Sequence, residues 1–219
     1  MDKSQDVGQI GIDESGKGDY FGPLVIAGVY VTHEQEAQLR TAGVRDSKTL
    51  SDAKATTLSA QIRGLCPHTL VAIGPERYNS LYESFKNLNR LLAWGHARAI
   101  ENLLEKVSCA RVVADQFGDE RFLKSALMGK GRTVALIQKP RAEEEVAVAA
   151  ASIIARAEFL RRLQELSSRY GVSLPKGASE AVIAAGKGFV QQYGTDALGQ
   201  VAKLHFRTTT SVLGQTDKA

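Results

Sequence analysis

Gly11-Ile12-Asp13-Glu14-Ser15-Gly16-Lys17-Gly18-Asp19-Tyr20-Phe21-Gly22-Pro23 is the stretch on which the reading of this chain turns. Gln9-Ile10-Gly11-Ile12 has strand character and delivers two carboxylates side by side, and Leu24 to Val31 reads as a second, buried strand. Neighbouring side chains of a strand point to opposite faces. Convergence of Asp13 and Glu14 on one point therefore requires the strand to end there, and Gly16 and Gly18 supply the break. Two acids at a strand end, next to a cation and a flexible backbone, suggest a divalent-metal site facing a phosphate. On spacing alone, an acidic strand end leading into a hairpin turn accounts for the same residues. A phosphate-binding loop is a third reading, since Gly11 to Lys17 fits G-x-x-x-x-G-K. It fails at Gly18, which has no hydroxyl for a metal, and it would put the charges of Asp13 and Glu14 where amides should cradle phosphate.

The 219 residues suffice to bury a sizeable core, and 43% hydrophobic with 24% charged residues is the balance of a soluble globular protein. The net charge of +4 leans weakly towards a polyanionic partner. The polar start Met1-Asp2-Lys3-Ser4-Gln5-Asp6 leads to the expectation of no signal peptide or transmembrane segment, and Cys66 and Cys109 match no metal spacing. The expectation is a monomeric cytoplasmic protein with reduced thiols, independent of membranes.

Outward from the opening stretch, Asp46-Ser47-Lys48 is a loop triplet suited to a phosphate contact, and Ser51 caps a helix reaching about Arg63. His68 to Ile73 reads as the third strand of a meander. Residues 87–107 form the clearest helix, with Leu88, Leu91, Leu92, Ala99 and Leu103 on one stripe and Gly95 marking a close approach to the sheet. Trp94 and His96 on that helix read as packing residues. Residues 110–115 repeat the opening design, an apolar strand ending in a carboxylate, and Asp115 stands beside Asp13 if the two strands are parallel neighbours. Asp119 begins a short helix and residues 133–137 form a fifth strand. Glu143-Glu144-Glu145 lie in the first turn of an alanine-rich helix, where the helix dipole accounts for most of them. Pro175-Lys176-Gly177-Ala178-Ser179 is a loop, Glu180 to Tyr193 another helix, and residues 204–210 a hydroxyl-rich tail able to lie along a nucleic-acid backbone. No repeat or linker interrupts the chain, so the expectation is one domain over 1–219 with a helical C-terminal region from about 157.

Taken together, these motifs resemble the type 2/type 3 ribonucleases H, and most closely ribonuclease HIII. The resemblance rests on residues 13–23, Asp46-Ser47-Lys48, Asn87-Leu88-Asn89, residues 93–97 and 149–156, Pro175-Lys176-Gly177 and Lys203-Leu204-His205-Phe206. Lys17 points to the type 3 branch, because the type 2 branch usually has Arg between those glycines. The resemblance implies an α/β, ribonuclease H-like fold: a central mixed five-stranded sheet flanked by helices, with a helical C-terminal part. It implies an endoribonuclease that cleaves the RNA strand of RNA/DNA hybrids with two divalent cations, Mg²⁺ or Mn²⁺, held by four acids. Residue by residue these are Asp13, Glu14 and Asp115, with Glu143 as the fourth; Glu144 is the neighbouring register.

By the same resemblance, cations about 4 Å apart would activate a water and stabilise the leaving 3′-oxygen, giving 5′-phosphate and 3′-hydroxyl ends. Gly16, Lys17 and Gly18 would grip the backbone near the scissile phosphate, with Ser47, Lys48 and Lys176 as further contacts. Ribonuclease HIII proteins commonly carry an extra N-terminal substrate-binding domain; here about eight residues precede the first strand, and the expectation is that such a domain was never present or that this is a short variant. A P-loop-like phosphohydrolase and a non-catalytic hybrid-binding module are the competing readings. The first should bind ATP or GTP, and the second would need none of the four acids.

Overall fold

The computed structural model describes residues 8–45 and 47–214. In chain order its elements are β1 (Gln9–Ser15), β2 (Leu24–Val31), α1 (His33–Thr41), α2 (Asp52–Leu65), β3 (His68–Ile73), α3 (Pro75–Phe85), α4 (Leu88–Leu104), β4 (Arg111–Asp115), α5 (Glu120–Ala126), β5 (Ala135–Lys139), α6 (Val146–Tyr170), α7 (Glu180–Tyr193) and α8 (Thr208–Val212). Short 3₁₀ turns fall at Ser47–Thr49, Lys130–Thr133, Ala142–Glu144 and Asp196–Gln200. The chain divides into two compact units, one over residues up to 14, 25–71 and 87–157, the other over 15–24, 72–86 and from 158 onward.

The strands form one mixed five-stranded sheet in the order β3-β2-β1-β4-β5. β1 pairs parallel with β4, Ile10 opposite Val112, Gly11 opposite Val113 and Ile12 opposite Ala114, and β4 pairs parallel with β5. The next rung of that register sets Asp13 level with Asp115, as the sequence reading required. One face of the sheet takes α6: a Cβ on Gly11 would stand 2.1 Å from the Ala147 carbonyl carbon. The other takes α4, where a Cβ on Gly95 would stand 2.7 Å from Ile26 Cδ1, the close approach expected of that glycine. Between the faces Ile10, Ile12, Val25, Ile26, Val112 and Val113 have no solvent exposure, the burial that stabilises a two-sided α/β layer.

Local signals set most helix starts. The side chains of Ser51, Asn87 and Asp119 accept from the amides of Lys54, Arg90 and Arg121, so each is an N-cap. Three helices lie outside the sequence expectations, α8 near the C-terminus among them. α1 opens on a capping box, Thr32 with Gln35, and α3 begins with Pro75 at its first position. The fifth strand starts two residues later than expected, because residues 130–133 wind into a 3₁₀ turn. The Glu101 carboxylate accepts from the amides of Met128, Lys130 and Gly131, which pins the chain entering and starting that turn to α4. The three glutamates also sit differently: Glu143 and Glu144 belong to the Ala142–Glu144 turn and α6 begins at Val146.

In the second unit, residues 19–22 run beside 201–203: Gly22 N–H donates to Val201 O and Phe21 bridges antiparallel to Ala202. The hydroxyl-rich tail is not extended. Residues 208–212 are helix α8, with Thr208 and Val212 buried and Val212 Cγ2 filling the space of a Gly186 Cβ on α7. Among the described residues no helix is long and apolar enough to cross a membrane.

Candidate active site

β1 runs through Ser15 and stops before Gly16, so Asp13 and Glu14 are both strand residues at its end. They obey strand alternation. Asp13 lies on the α6 face and accepts a hydrogen bond from the Ser152 hydroxyl, while Glu14 lies on the α4 face with its Oε2 2.9 Å from His96 Nε2. The two carboxylates share the end of β1 because each is held by the helix covering its own face. The Glu14 amide also donates to Asp13 Oδ1 at 2.8 Å. Asp115 ends the neighbouring strand, and its Oδ1 accepts the Ala142 amide at 3.1 Å. Ala142 has no solvent exposure and packs with Val113 and Val148, so the turn carrying Glu143 is pinned to the core one residue before that glutamate.

Crowding by protein pushes the Asp13 carboxyl up to about 8, with the negative charges of Glu14 and Asp115 adding to the burial and the Ser152 and Glu14 hydrogen bonds opposing it. A carboxyl so disfavoured as an anion, between two others, is a position that a multivalent cation relieves. The donors are hard carboxylate oxygens, the set that Mg²⁺ and Mn²⁺ take. Among the described residues no three His, Cys, Asp or Glu side chains are grouped so as to hold a metal ion as they stand.

The glutamate run is sorted by its partners. Glu145 is committed elsewhere: Lys139 Nζ lies 2.7 Å from its Oε1, Gln9 donates to its Oε2 at 3.1 Å, and these partners hold its carboxyl below the usual range. Glu144 is exposed and Glu143 half-buried, both lining a recess with Arg40, Arg45 and Arg141.

Sequence reasoning passed over the supporting residues. His96 has no solvent exposure, its Nδ1 has no hydrogen-bond partner, and the Phe117 ring lies 4.7 Å from it. The available signal was a polar ring one turn beyond Leu92 on an otherwise apolar stripe. Ser47 is 5% exposed and its hydroxyl lies 2.7 Å from that of Ser152, so its side chain is turned inward to the serine that serves Asp13. Arg156 fixes the same turn, donating to Ser47 O and, at 2.7 Å, to Asp52 Oδ1. Asp46 and the Lys48 side chain lie outside the described residues.

The remaining sequence candidates belong to the second unit. Gly16 has φ +89° and meets Pro23 O where a side chain would begin, so only glycine fits that turn. Gly18 is exposed with open space beside it, leaving its main chain bare. Lys17 is half-buried and Lys176 exposed.

The Ribonuclease HII family matches residues 10–209. Ribonuclease HIII of Protochlamydia amoebophila is 49% identical over 209 residues, covering 95% of this chain and 69% of that protein. Ribonuclease HIII of Chlamydia pneumoniae is 47% identical, covering 91% and 68%. The crystal structure of Bst-RNase HIII in complex with Mn²⁺ superposes with a TM-score of 0.88 at 33% identity, covering 97% of this chain and 71% of that one. With strand-end carboxylates on a sheet of this order and a family match over nearly its whole length, the chain belongs to the ribonuclease HII family and is a divalent-metal-dependent ribonuclease H, an endonuclease acting on RNA/DNA hybrids.

Proposed function

We propose that Asp13, Glu14, Asp115 and Glu143 are the acids that hold the two cations, Mg²⁺ or Mn²⁺, and that this chain cuts within runs of ribonucleotides, leaving 5′-phosphate and 3′-hydroxyl ends. The observation that carries the assignment is the β1–β4 register, which sets Asp13 and Asp115 level at the carboxyl ends of adjacent parallel strands. When bound, the cations supply activation of the attacking water and neutralisation of charge at the leaving 3′-oxygen. The chain does the rest by positioning. Ser152 and the Glu14 amide orient Asp13, His96 orients Glu14, and the Ala142 amide orients Asp115. Glu143 is preferred over Glu144 because it is the less exposed and follows directly on the Ala142 anchor; Glu145 is held by Lys139.

Backbone recognition falls to Gly16, Lys17, Gly18 and Lys176, with Lys48 from the sequence reading. The bare main chain at Gly18 allows the close approach that a contact to a 2′-hydroxyl demands. Free Cys66 and Cys109 support a reducing, cytoplasmic location, and the reading is of a monomer. The test is incubation with labelled RNA/DNA hybrid in Mg²⁺, Mn²⁺ or EDTA, wild type against Asp115→Asn. The variant should lose nearly all cleavage while keeping its thermal transition; wild-type rates at ordinary Mg²⁺ would overturn the assignment.

A further inference from the structure

Lys203 has no solvent exposure, and an ammonium is among the costliest groups to bury. Hydrophobic replacement of buried charge is often neutral or stabilising, so a lysine kept there calls for a specific task. Its contacts name one. Lys203 Nζ donates to Asp19 O at 2.7 Å while its own amide donates to Tyr20 O at 2.9 Å, so one residue grips two successive carbonyls. The same two residues grip a second loop. Asp19 Oδ1 accepts the Gly177 amide at 2.7 Å, and the Tyr20 amide donates to Gly177 O at 2.9 Å. Residues 19–20 are thus a rung held by Lys203 on one side and holding Gly177 on the other. Lys17 lies two residues before that rung and Lys176 one residue before Gly177.

The surroundings make the rung stiff. The Tyr78 ring lies under the ammonium at 5.7 Å, and Thr209 Oγ1 donates to the Tyr20 hydroxyl at 3.2 Å. The Asn79 amide donates to Gly199 O and Ala202 O, and its Oδ1 accepts from Leu204 N–H, clamping the segment that carries Lys203.

We propose that Lys203 is a positioning residue for substrate binding: through Asp19 and Tyr20 it locks the Gly16–Gly18 turn and the Pro175–Gly177 loop into one surface, so that Lys17 and Lys176 meet the nucleic-acid backbone in a fixed relation. This rests on the reading above that those two lysines contact the backbone. Preformed spacing of two cations lowers the ordering cost of binding, so the effect belongs in KM.

The experiment is Lys203→Met, which keeps the apolar stem and removes the ammonium, assayed with Lys17→Ala, Lys176→Ala and the Lys203→Met/Lys176→Ala double variant. KM for a continuous hybrid should rise about tenfold in Lys203→Met, as Lys17 and Lys176 lose their fixed relation, with kcat changed less than about twofold. Amide exchange at Gly177 should quicken, and the double variant should lose less than the product of the single losses. Asp19→Ala, which cuts the Gly177 bond from the other side, should repeat the pattern and serves if Lys203→Met does not fold. Unchanged Gly177 exchange, or losses that simply multiply, would overturn the clasp. A KM unmoved by Lys17→Ala and Lys176→Ala would instead overturn the backbone-contact reading, whatever Gly177 exchange reports.

Discussion

Gly11 carries no side chain, yet replacing it with alanine should damage both stability and catalysis. A Cβ at Gly11 would lie 2.1 Å from the Ala147 carbonyl carbon, 2.2 Å from Val148 N and 2.3 Å from Ala147 O. Each is more than an ångström short of ordinary contact, and all three are backbone atoms that no rotamer change can move aside. Either α6 lifts from the sheet or β1 shifts against β4. Overpacking of this kind costs about 1–3 kcal/mol or more, which for a chain of this size lowers Tm by roughly 3–10 °C. The activity loss should be the larger effect. Ser152 orients Asp13 from α6, and Gly11 lies two residues before Asp13 on the same face. A displacement of about 1 Å at such a site costs on the order of a hundredfold in rate. The assay is differential scanning calorimetry together with single-turnover cleavage of a saturating hybrid. Gly64→Ala in α2 is the control: a Cβ there meets nothing within 4 Å, and the change should raise stability by up to about 1 kcal/mol. Wild-type Tm and cleavage rate in Gly11→Ala would refute the argument that contact between β1 and α6 sets the site.

Single glutamine substitutions in the glutamate run should separate it: Glu143→Gln loses cleavage, Glu144→Gln retains it, and Glu145→Gln changes chiefly stability through Lys139. Loss at Glu144 with retention at Glu143 would move the fourth acid by one residue. In EDTA, stability should fall as pH rises from about 4 towards 8. The folded Asp13 carboxyl, pushed up to about 8 by burial and its acidic neighbours, keeps a proton that the unfolded chain releases near its ordinary value of 3.8. Urea midpoints at pH 5 and 8 should show the fall in wild type and a smaller one in Asp13→Asn; equal falls would remove Asp13 as its source. Initial rates should favour a continuous hybrid over a duplex with one embedded ribonucleotide, because the Lys17 ammonium follows phosphate without the fixed geometry of a guanidinium fork. Binding should also weaken steeply with salt. Equal or faster incision at the lone ribonucleotide would contradict the role given to Lys17.

What the residues alone determined were features whose physics is local. Ser51, Asn87 and Asp119 read as helix starts because a short polar side chain satisfies amides two or three residues ahead, whatever the rest of the chain does. The stripe of α4 and its Gly95 read as a sheet-facing surface because helical periodicity is itself a statement about burial. Asp13 and Asp115 were found as two strands ending in acids, and the parallel register then set them level. Tertiary structure decided the rest. Strand alternation already tells that Asp13 and Glu14 leave opposite faces, but nothing in the pair tells that two helices gather them, since the holders, Ser152 and His96, are far along the chain. The hydroxyl of Ser47 meets Ser152, and Lys203 meets Asp19, across separations of 105 and 184 residues. A buried polar group is satisfied by whichever partner the packing brings to it, and sequence spacing carries no record of that choice until the layers have closed.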